Sequence, residues 1–223
     1  MRFLFLLLLP TGVFAQGITP VPYPELQNRL TEIIDFESFD KYLTPGTKLD
    51  GVQNFGGLSA AERFFGQFVE DRDGFDTLDG APTGPLRLSA GKPSENLSVT
   101  FYFMLTNHLV GNAAPGYPES HAGGEGSISL LFDDDQSAIG FLVAAEPLPE
   151  DASQPKGQMT VTFYDRLGRR LDRLLIELEF GRSGYGFATA NGQPEIAGIT
   201  IENRDPAGIA IDDVIFGSTG PSS

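Results

Sequence analysis

Two pairs of acidic residues stand within apolar runs near opposite ends of the chain. Asp35 and Glu37 belong to the run IIDFE, and Asp212 and Asp213 belong to the run IAIDDVIF. Both runs have the composition of β-strands. If these strands are neighbours, four carboxylates come together and repel one another unless a cation lies between them. Calcium, which prefers carboxylate and carbonyl oxygens, is the cation that these residues predict.

The tandem aspartates also allow an explanation without a metal. Side chains of a regular strand alternate between its two faces, so either Asp212 or Asp213 would point into the core, where an unpaired charge is costly. A bound calcium ion would remove that cost. Alternatively, one aspartate accepts backbone N–H bonds at a β-bulge while the other faces water. The sequence leaves both explanations open.

A second acidic group surrounds Gly74. Its members are Asp71, Asp73 and Asp76. Their spacing is similar to that of Asp-x-Asp-x-Asp-Gly calcium loops. Aligning Gly74 with the loop glycine puts Val69 and Gly80 at the first and last ligand positions, and neither carries a carboxylate. The segment is therefore not an EF-hand, and it is either a looser cation loop or a solvated Asp-Gly loop.

The remaining candidates for chemistry lie in residues 106–126, a segment rich in glycine and proline. They are His108, Tyr117 and His121. Such side chains can act as general acids and bases, but their spacing matches no metal or triad motif, and the sequence has no Gly-x-Ser-x-Gly element. We predict a long loop that contacts a ligand through these side chains, with incidental histidines in an exposed loop as the alternative.

Short strands must position all these residues. The sequence has about ten segments rich in β-branched and aromatic residues, separated by frequent turn signals. The first covers residues 31–37, the strongest 97–105 and the last 207–216. Residues 133–135, three aspartates, are predicted to turn a hairpin because aspartate tolerates left-handed backbone. The pattern predicts an all-β fold, a two-sheet antiparallel β-sandwich of the jelly-roll type.

The N-terminal segment has the features of a secretory signal peptide. Met1 and Arg2 precede a short apolar run, and Ala15 marks the predicted cleavage point. The run is too short to span a membrane, which takes about 20 apolar residues. We divide the chain into a signal peptide (1–15), an extended lead (16–30), a β-sandwich domain (31–217) and a disordered tail (218–223).

The composition limits the possible partners. The 223 residues include no cysteine, so disulfides cannot support the fold, and 30 acidic residues against 15 basic ones give a formal net charge of −15. This charge disfavours nucleic acid and anionic lipid as partners. We expect a secreted monomer without a membrane span, whose leader and composition are typical of bacteria.

The two acidic runs resemble the bracketing strands of secreted jelly-roll modules. Residues 35–37 and 210–214 are similar to the pair found in MAM-type adhesion domains and in bacterial exported sandwich domains, including carbohydrate-binding modules. Residues 131–141 and 161–168 resemble the bacterial version. Such modules often hold a structural calcium between their first and last strands, which implies Glu37 and Asp213 first, with Asp35 and Asp212 as neighbours. The cysteines of MAM domains are absent.

Three functional hypotheses follow from these residues and this resemblance. The first is a secreted, calcium-stabilised, non-catalytic module that binds an extracellular glycan or a surface or matrix partner. The second is a polysaccharide lyase or glycosidase that uses His108, Tyr117 and His121. The third is a structural protein of the cell envelope. The glycan hypothesis rests on the resemblance, because a fold by itself does not define a function.

Overall fold

A computed structural model describes residues 17–102, 105–145 and 156–217. The predicted signal peptide (1–15) and tail (218–223) lie outside the described residues. The strands are β1 Ile18–Pro22, β2 Glu32–Ile34, β3 Thr47–Leu49, β4 Gln53–Asn54, β5 Leu58–Ala61, β6 Arg63–Phe64, β7 Phe68–Arg72, β8 Phe75–Asp79, β9 Leu88–Ser89, β10 Leu97–Tyr102, β11 Thr106–Gly111, β12 Ile128–Gln136, β13 Ala138–Ala145, β14 Gln158–Tyr164, β15 Arg170–Glu177, β16 Gly181–Thr189, β17 Ile196–Asn203 and β18 Ile209–Phe216. The helical elements are α1 Tyr23–Gln27 and a 3₁₀ turn, Ser120–Ala122.

Two antiparallel sheets make up the body of the protein. The larger has the order β1-β16-β13-β18-β11-β10-β3, and β2 also pairs with β18. The smaller has the order β15-β14-β17-β12-β5-β4. Successive strands from β11 to β14 alternate between the two sheets, as do β16, β17 and β18. The predicted all-β, two-sheet sandwich of the jelly-roll type is confirmed.

The main core lies between the two sheets because each strand directs alternate side chains inward. Leu109 of β11 and Ile211 of β18 come from the larger sheet, and Leu130 of β12 and Phe163 of β14 come from the smaller one. All four side chains are fully buried. The opposite, outer face of the larger sheet is therefore defined by the residues between these positions. No helix within the described ranges has the length and apolar character of a membrane span.

The segment before residue 31, predicted as an extended lead, contributes to the larger sheet. Its strand β1 pairs with β16 at the sheet edge, where proline can occur because one side of the strand needs no ladder hydrogen bonds. Tyr23 and Leu26 of α1 then pack on the outer face of the sheet. A Cβ at Gly184 would lie 2.6 Å from the Cβ of Tyr23, so this glycine leaves the space that α1 occupies.

The first and last predicted strands are neighbours, as the acidic runs suggested. The strand β2 pairs antiparallel with β18, with Ile34 opposite Val214 and Glu32 opposite Phe216. This pairing confirms the predicted adjacency. The strand ends at Ile34, before Asp35 and Glu37, because Phe36 adopts the left-handed conformation with a φ of 55°.

Two sequence predictions about the connections are wrong. The aspartates at 133–135 lie within β12 and are exposed to solvent. The predicted hairpin is absent, because β12 and β13, which Ser137 connects, belong to different sheets. Arg166 holds this end of β12 through Asp135 Oδ1 at 2.6 Å and the Phe132 carbonyl oxygen at 2.8 Å. The predicted loop 106–126 begins as β11, because residues 106–111 pair with β10 along their whole length. His108 therefore belongs to a strand and not to a loop.

Candidate functional site

The acids of the terminal strands meet an arginine. The Nη2 atom of Arg182, in β16, lies 2.6 Å from Asp212 Oδ2 and 3.0 Å from Asp213 Oδ2. The Asp212 side chain is 1% exposed, so this ion pair is largely out of water. Burial raises the pKa of Asp212, and the hydrogen bond from the Asp213 amide and the charge of Arg182 oppose that shift.

A β-bulge brings both aspartates to the same side of β18. The register of β18 against β13 shifts by one residue here, and Asp213 adopts a φ of 44°. Asp212 Oδ1 accepts a hydrogen bond from the Asp213 amide at 2.8 Å. Ile211 and Val214, on either side, are both fully buried. Neither aspartate points into the core. The β-bulge, one of the two explanations that the sequence left open, is present.

Glu37 reaches the same cluster from the loop after β2. Its Oε1 accepts hydrogen bonds from the Thr106 hydroxyl at 2.6 Å and from the Asn107 amide at 2.7 Å. These bonds, the hydroxyl first, lower the pKa of Glu37 to about 2. The Thr106 Oγ1 also lies 3.2 Å from Asp212 Oδ2. Thr106 thus links the acid of the first strand region to the acid of the last strand.

Asp35 makes no side-chain hydrogen bond to Asp212 or Asp213, although its charge helps to raise the pKa of Asp213. It is exposed, and its Oδ1 accepts a hydrogen bond from the Glu37 amide at 3.1 Å within its own turn. Within the described part of the chain, no group of three or more His, Asp or Glu side chains is arranged so that it could hold a metal ion. The cation in contact with Asp212 and Asp213 is the guanidinium of Arg182. Calcium stays a prediction.

The acidic group around Gly74 forms a β-hairpin between β7 and β8. Asp73 and Gly74 have φ values of 61° and 87°, which is typical of a two-residue type I′ turn. Asp71 Oδ1 accepts a hydrogen bond from the Gly74 amide at 2.9 Å. Asp71 and Asp73 are exposed, whereas Asp76 is buried, and burial raises its pKa to about 6. The turn explains the Asp-Gly pattern, and the cation-loop prediction stays untested.

A cleft of about 370 Å³ opens on the outer face of the larger sheet. Its floor consists of outward residues from four adjacent strands: Ser98, Thr100, His108, Val110, Asn112, Ala144 and Ala210. One wall consists of Thr44 and Pro45, and the others come from residues 119–124 and 207–209. The volume is within the range of small-molecule sites, about 300–1,000 Å³. The cleft is therefore a candidate ligand site.

Two buried polar atoms of this cleft have no hydrogen-bond partner in the protein. They are His108 Nε2 and Asn112 Nδ2. The two residues are 1% and 3% exposed. A buried polar group without a partner costs about 1–3 kcal/mol, so native structures contain few of them. Both atoms belong to residues that line the same cleft.

The other polar groups of the floor are held by neighbours. The Ser98 hydroxyl bonds Asn112 Oδ1 at 3.1 Å, and the Thr100 hydroxyl lies 3.3 Å from that of Thr44. Among the described residues that line the cleft, Glu119 is the one carboxylate, and it is exposed. Burial lowers the pKa of His108 to about 4. The lining is therefore almost uncharged near neutral pH and offers hydroxyl, amide and imidazole groups.

The three residues predicted to form a ligand loop take different places. His108 lies on the cleft floor in β11, although it was expected in a loop. The Tyr117 hydroxyl donates to the Gly46 carbonyl at 3.2 Å and so supports the wall at Pro45. His121 is exposed in the 3₁₀ turn, next to the lining residue Ser120. Residues 119–124 of the predicted loop border the cleft and form one of its walls.

Sequence reasoning did not identify Arg182, Ser98 or Thr100. Arg182 lies in β16 between glycine and serine, with no local signal of an ion pair. Ser98 and Thr100 alternate with Leu97 and Val99 in β10. This alternation marks the outward face of a strand. It could have shown that β10 presents hydroxyls on one side, but not that a cleft lies above them.

No protein-family model matches the chain, and no curated protein matches it in sequence. Three solved structures show limited similarity. The enzymatically active domain of bacteriophage CBA120 tailspike protein 4 has 14% identity and a TM-score of 0.32, over 54% of this chain and 17% of the other. The CBM22-1–GH10 modules of *Clostridium thermocellum* endo-1,4-β-D-xylanase 10B, complexed with xylohexaose, have 10% identity and a TM-score of 0.34, over 56% and 24%.

The third structure is a CBM28 carbohydrate-binding module specific for non-crystalline cellulose. It has 18% identity and a TM-score of 0.32, over 55% of this chain and 80% of the module. The chain thus spans about a quarter or less of the first two proteins that it matches. Similarities at this level define neither a family nor a ligand for this protein.

Proposed function

We propose that the protein is a non-catalytic module that binds a neutral glycan in the cleft on the outer face of its larger sheet. The observation that carries the proposal is the polar floor of that cleft, which Ser98, Thr100, His108 and Asn112 line together. A sugar hydroxyl both donates and accepts hydrogen bonds, so it matches a floor of hydroxyl, imidazole and amide groups. Sugar rings carry many such hydroxyls.

The charges around the cleft favour a neutral ligand. The described residues that line it include no lysine or arginine, and Glu119 is exposed at its rim. The whole chain carries a formal net charge of −15. This field repels acidic polysaccharides. A neutral glycan meets no such repulsion and loses no charge solvation when it enters the cleft.

The cleft chemistry favours binding over hydrolysis. Glycosidases use a pair of carboxyl groups about 5–10 Å apart on either side of the scissile bond. Within the part of the chain that the structure describes, one carboxylate, that of Glu119, lines this cleft. The alternative is a polysaccharide lyase or glycosidase built on His108. A pKa of about 4 makes that imidazole a weak general base and leaves it without the proton that a general acid needs near neutral pH.

Calorimetric titration of the mature protein with neutral and acidic oligosaccharides tests the proposal. We expect heat of binding with a neutral oligosaccharide and none with an acidic one. Asn112→Ala should weaken binding about tenfold, which corresponds to about 1.4 kcal/mol. Asn191→Ala, which changes an exposed turn on another part of the protein, should bind as the wild type does. Release of reducing ends, or no binding to any neutral oligosaccharide, would refute the proposal.

A structural calcium ion at the terminal strands is the second candidate, and the sharing of the Thr106 hydroxyl by Glu37 and Asp212 favours it. The acids fit such an ion only in part, because Arg182 already holds Asp212 and Asp213. Calcium would have to displace the guanidinium. We also propose that the protein is exported after cleavage at Ala15, and the N-terminal sequence of the mature protein tests this.

A further inference from the structure

We propose that two copies of this chain associate through β15, an edge strand of the smaller sheet, with Leu175 of one copy opposite Leu175 of the other. The strand β15 has eight residues and pairs with β14 on one side. Within the described ranges, its other side forms no backbone hydrogen bond with another segment. An unpaired edge of this kind is a template for a further strand.

Among the sheet edges, β15 is the best suited to such pairing. The other edge of the smaller sheet, β4, has two residues, and the edge strand β3 of the larger sheet has three. The edge strand β1 contains Pro20 and Pro22, and proline lacks the N–H that a new strand would need. The strand β15 contains neither proline nor glycine. Its whole edge can therefore form ladder hydrogen bonds.

The exposed face of β15 carries an apolar residue between two opposite charges. Arg173, Leu175 and Glu177 are exposed, and the exposed fraction of Leu175 is 62%. The intervening Leu174 and Ile176 pack against the main core. The outer face of the sheet thus ends in a cation, an apolar side chain and an anion at alternate positions of one strand.

This order of charges is self-complementary under two-fold symmetry. Two copies of one strand that extend a sheet in antiparallel fashion are related by an axis perpendicular to the sheet, so opposite residues share a face. With Leu175 on the axis, each Arg173 lies opposite a Glu177, and each Leu174 lies opposite an Ile176. Pairs of opposite charges and pairs of apolar side chains both stabilise neighbouring antiparallel strands.

The other registers lack this complementarity. An axis at Arg173 puts two arginines opposite each other, and an axis at Glu177 does the same with two glutamates. Like charges that are directly opposite destabilise a sheet. An axis at Leu174 or Ile176 puts Leu175 opposite a charged side chain and forms no Arg173–Glu177 pair. The charges therefore select the register with Leu175 on the axis.

Contacts within one copy leave both charges available to a second copy. Arg173 Nη2 lies 3.3 Å from Glu202 Oε2. Glu177 Oε1 lies 3.3 Å from Lys156 Nζ. The Arg173 and Glu177 side chains are nevertheless 44% and 63% exposed. A guanidinium has five N–H groups and a carboxylate has two oxygens, so each side chain can also contact the second copy.

The symmetry of the dimer also sets the directions of the two clefts. An axis perpendicular to the sheets keeps each face on its own side, so both larger sheets direct their outer faces, and the clefts, to the same side of the dimer. This consequence rests on the proposed glycan function, whereas the dimer itself does not. A polysaccharide that engages both clefts should bind about 10²- to 10⁴-fold more tightly than one cleft alone allows.

Cysteine cross-linking tests the register, because the chain has no cysteine of its own. Opposite residues have Cβ atoms about 4.5–5.5 Å apart, so Leu175→Cys should form a disulfide-linked dimer quickly under mild oxidation. Glu177→Cys is the matched control. In the proposed register its two substituted positions are four residues apart along the strands, about 13 Å, which is too far for a disulfide. Equal rates of cross-linking for the two variants would overturn the inference.

Sedimentation at increasing protein concentration tests the dimer itself. Two paired segments of five residues make an interface below the standard size of about 1,200–2,000 Å², so the wild-type dimer should dissociate on dilution. Glu177→Lys should be monomeric at every concentration, because it puts a lysine opposite Arg173. Glu179→Lys makes the same change of charge beside the same Lys156 but lies beyond the end of β15. This control should dimerise as the wild type does.

Two results of sedimentation would overturn the dimer. One is a wild type that stays monomeric at every concentration, as we expected from the sequence. The other is a Glu177→Lys variant that dimerises as well as Glu179→Lys does. Melting temperatures show whether both variants fold, and we expect them to be close to each other because Glu177 and Glu179 are both exposed.

Glycan binding separates the dimer from the proposed function. A short neutral oligosaccharide should bind the wild type and Glu177→Lys equally. A neutral polysaccharide should bind the wild type more tightly at concentrations where it is dimeric. Equal affinities for the polysaccharide would overturn the bivalent arrangement of the clefts. Failure of both proteins to bind any glycan would refute the proposed function, while cross-linking and sedimentation still decide the dimer.

Discussion

The cleft and the terminal-strand cluster are two polar regions on the outer face of one sheet, and they differ in how their polar groups are satisfied. In the cluster, Asp212 and Asp213 contact Arg182, and Glu37 accepts bonds from Thr106 and Asn107. Two buried atoms of the cluster, Arg182 Nε and Asn107 Oδ1, also have no partner, but each of its three carboxylates has one. In the cleft, two buried groups have no protein partner.

This difference separates a structural role from a binding role. A carboxylate that is paired inside the protein holds strands together and leaves little for a ligand to do. A buried donor or acceptor without a partner lowers stability and gains free energy when a ligand completes it. The cluster was the stronger candidate in the sequence because its residues are charged. The structure makes the nearly uncharged cleft the better candidate for binding.

The largest expected effect is that of removing Arg182. Arg182→Met leaves Asp212 and Asp213 without their cation, and breaking a buried ion pair costs about 3–5 kcal/mol. Urea unfolding measures the loss, and glycan affinity of the folded fraction should be unchanged because Arg182 does not line the cleft. Arg170→Met, an exposed change in β15, serves as the matched control. If Arg182→Met loses no more free energy of unfolding than Arg170→Met does, the structural role of the cluster is refuted.

The next effect concerns calcium and sharpens the role of Arg182. If calcium competes with the guanidinium for Asp212, it should raise the melting temperature of Arg182→Met more than that of the wild type. At 100 times its dissociation constant a bound ion adds about 2.7 kcal/mol to the free energy of unfolding. Melts in EDTA and with calcium added back measure the difference, and Arg182→Met/Asp213→Ala should respond less. Melting temperatures that are the same in EDTA and in calcium for all three proteins would refute the metal site.

The third effect is that of acid, and it occurs in different pH ranges for the two regions. His108 has its pKa lowered to about 4, so its contribution to stability is present above its unfolded value of about 6.5 and is lost as pH falls toward 4. Glu37 has its pKa lowered to about 2, so its contribution is present above its unfolded value of about 4.3 and is lost as pH falls toward 2.

Unfolding measured against pH for the wild type, His108→Gln and Glu37→Gln should separate these ranges. The difference between the wild type and His108→Gln should shrink between pH about 6.5 and 4, and that for Glu37→Gln between about 4.3 and 2. A His108→Gln difference that is constant above pH 4 would mean that the imidazole is not buried in its neutral form. The cleft floor would then be more open to water than the structure indicates.

The sequence predicted more of the fold than of the site. Alternation in segments such as β10 and β17 fixed the outward and inward faces, and turn signals separated the strands. The aspartates at 133–135 misled the prediction because three exposed acids can continue an extended strand through an irregularity, here between Leu131 and Gln136, where the register against β17 shifts. His108 was placed in a loop because glycine and proline after residue 111 obscured a strand of six residues.

The sequence by itself determined the all-β class and the two-sheet sandwich, because these depend on local alternation and on apolar runs. The adjacency of the first and last strands was a hypothesis, which the pairing of β2 with β18 confirms. Only the tertiary structure decided that Arg182 would stand between Asp212 and Asp213, and that His108 and Asn112 would lie unpartnered in one cleft. Hydrogen-bond satisfaction depends on residues distant in sequence that meet across strands. No local pattern of residue types predicts these contacts.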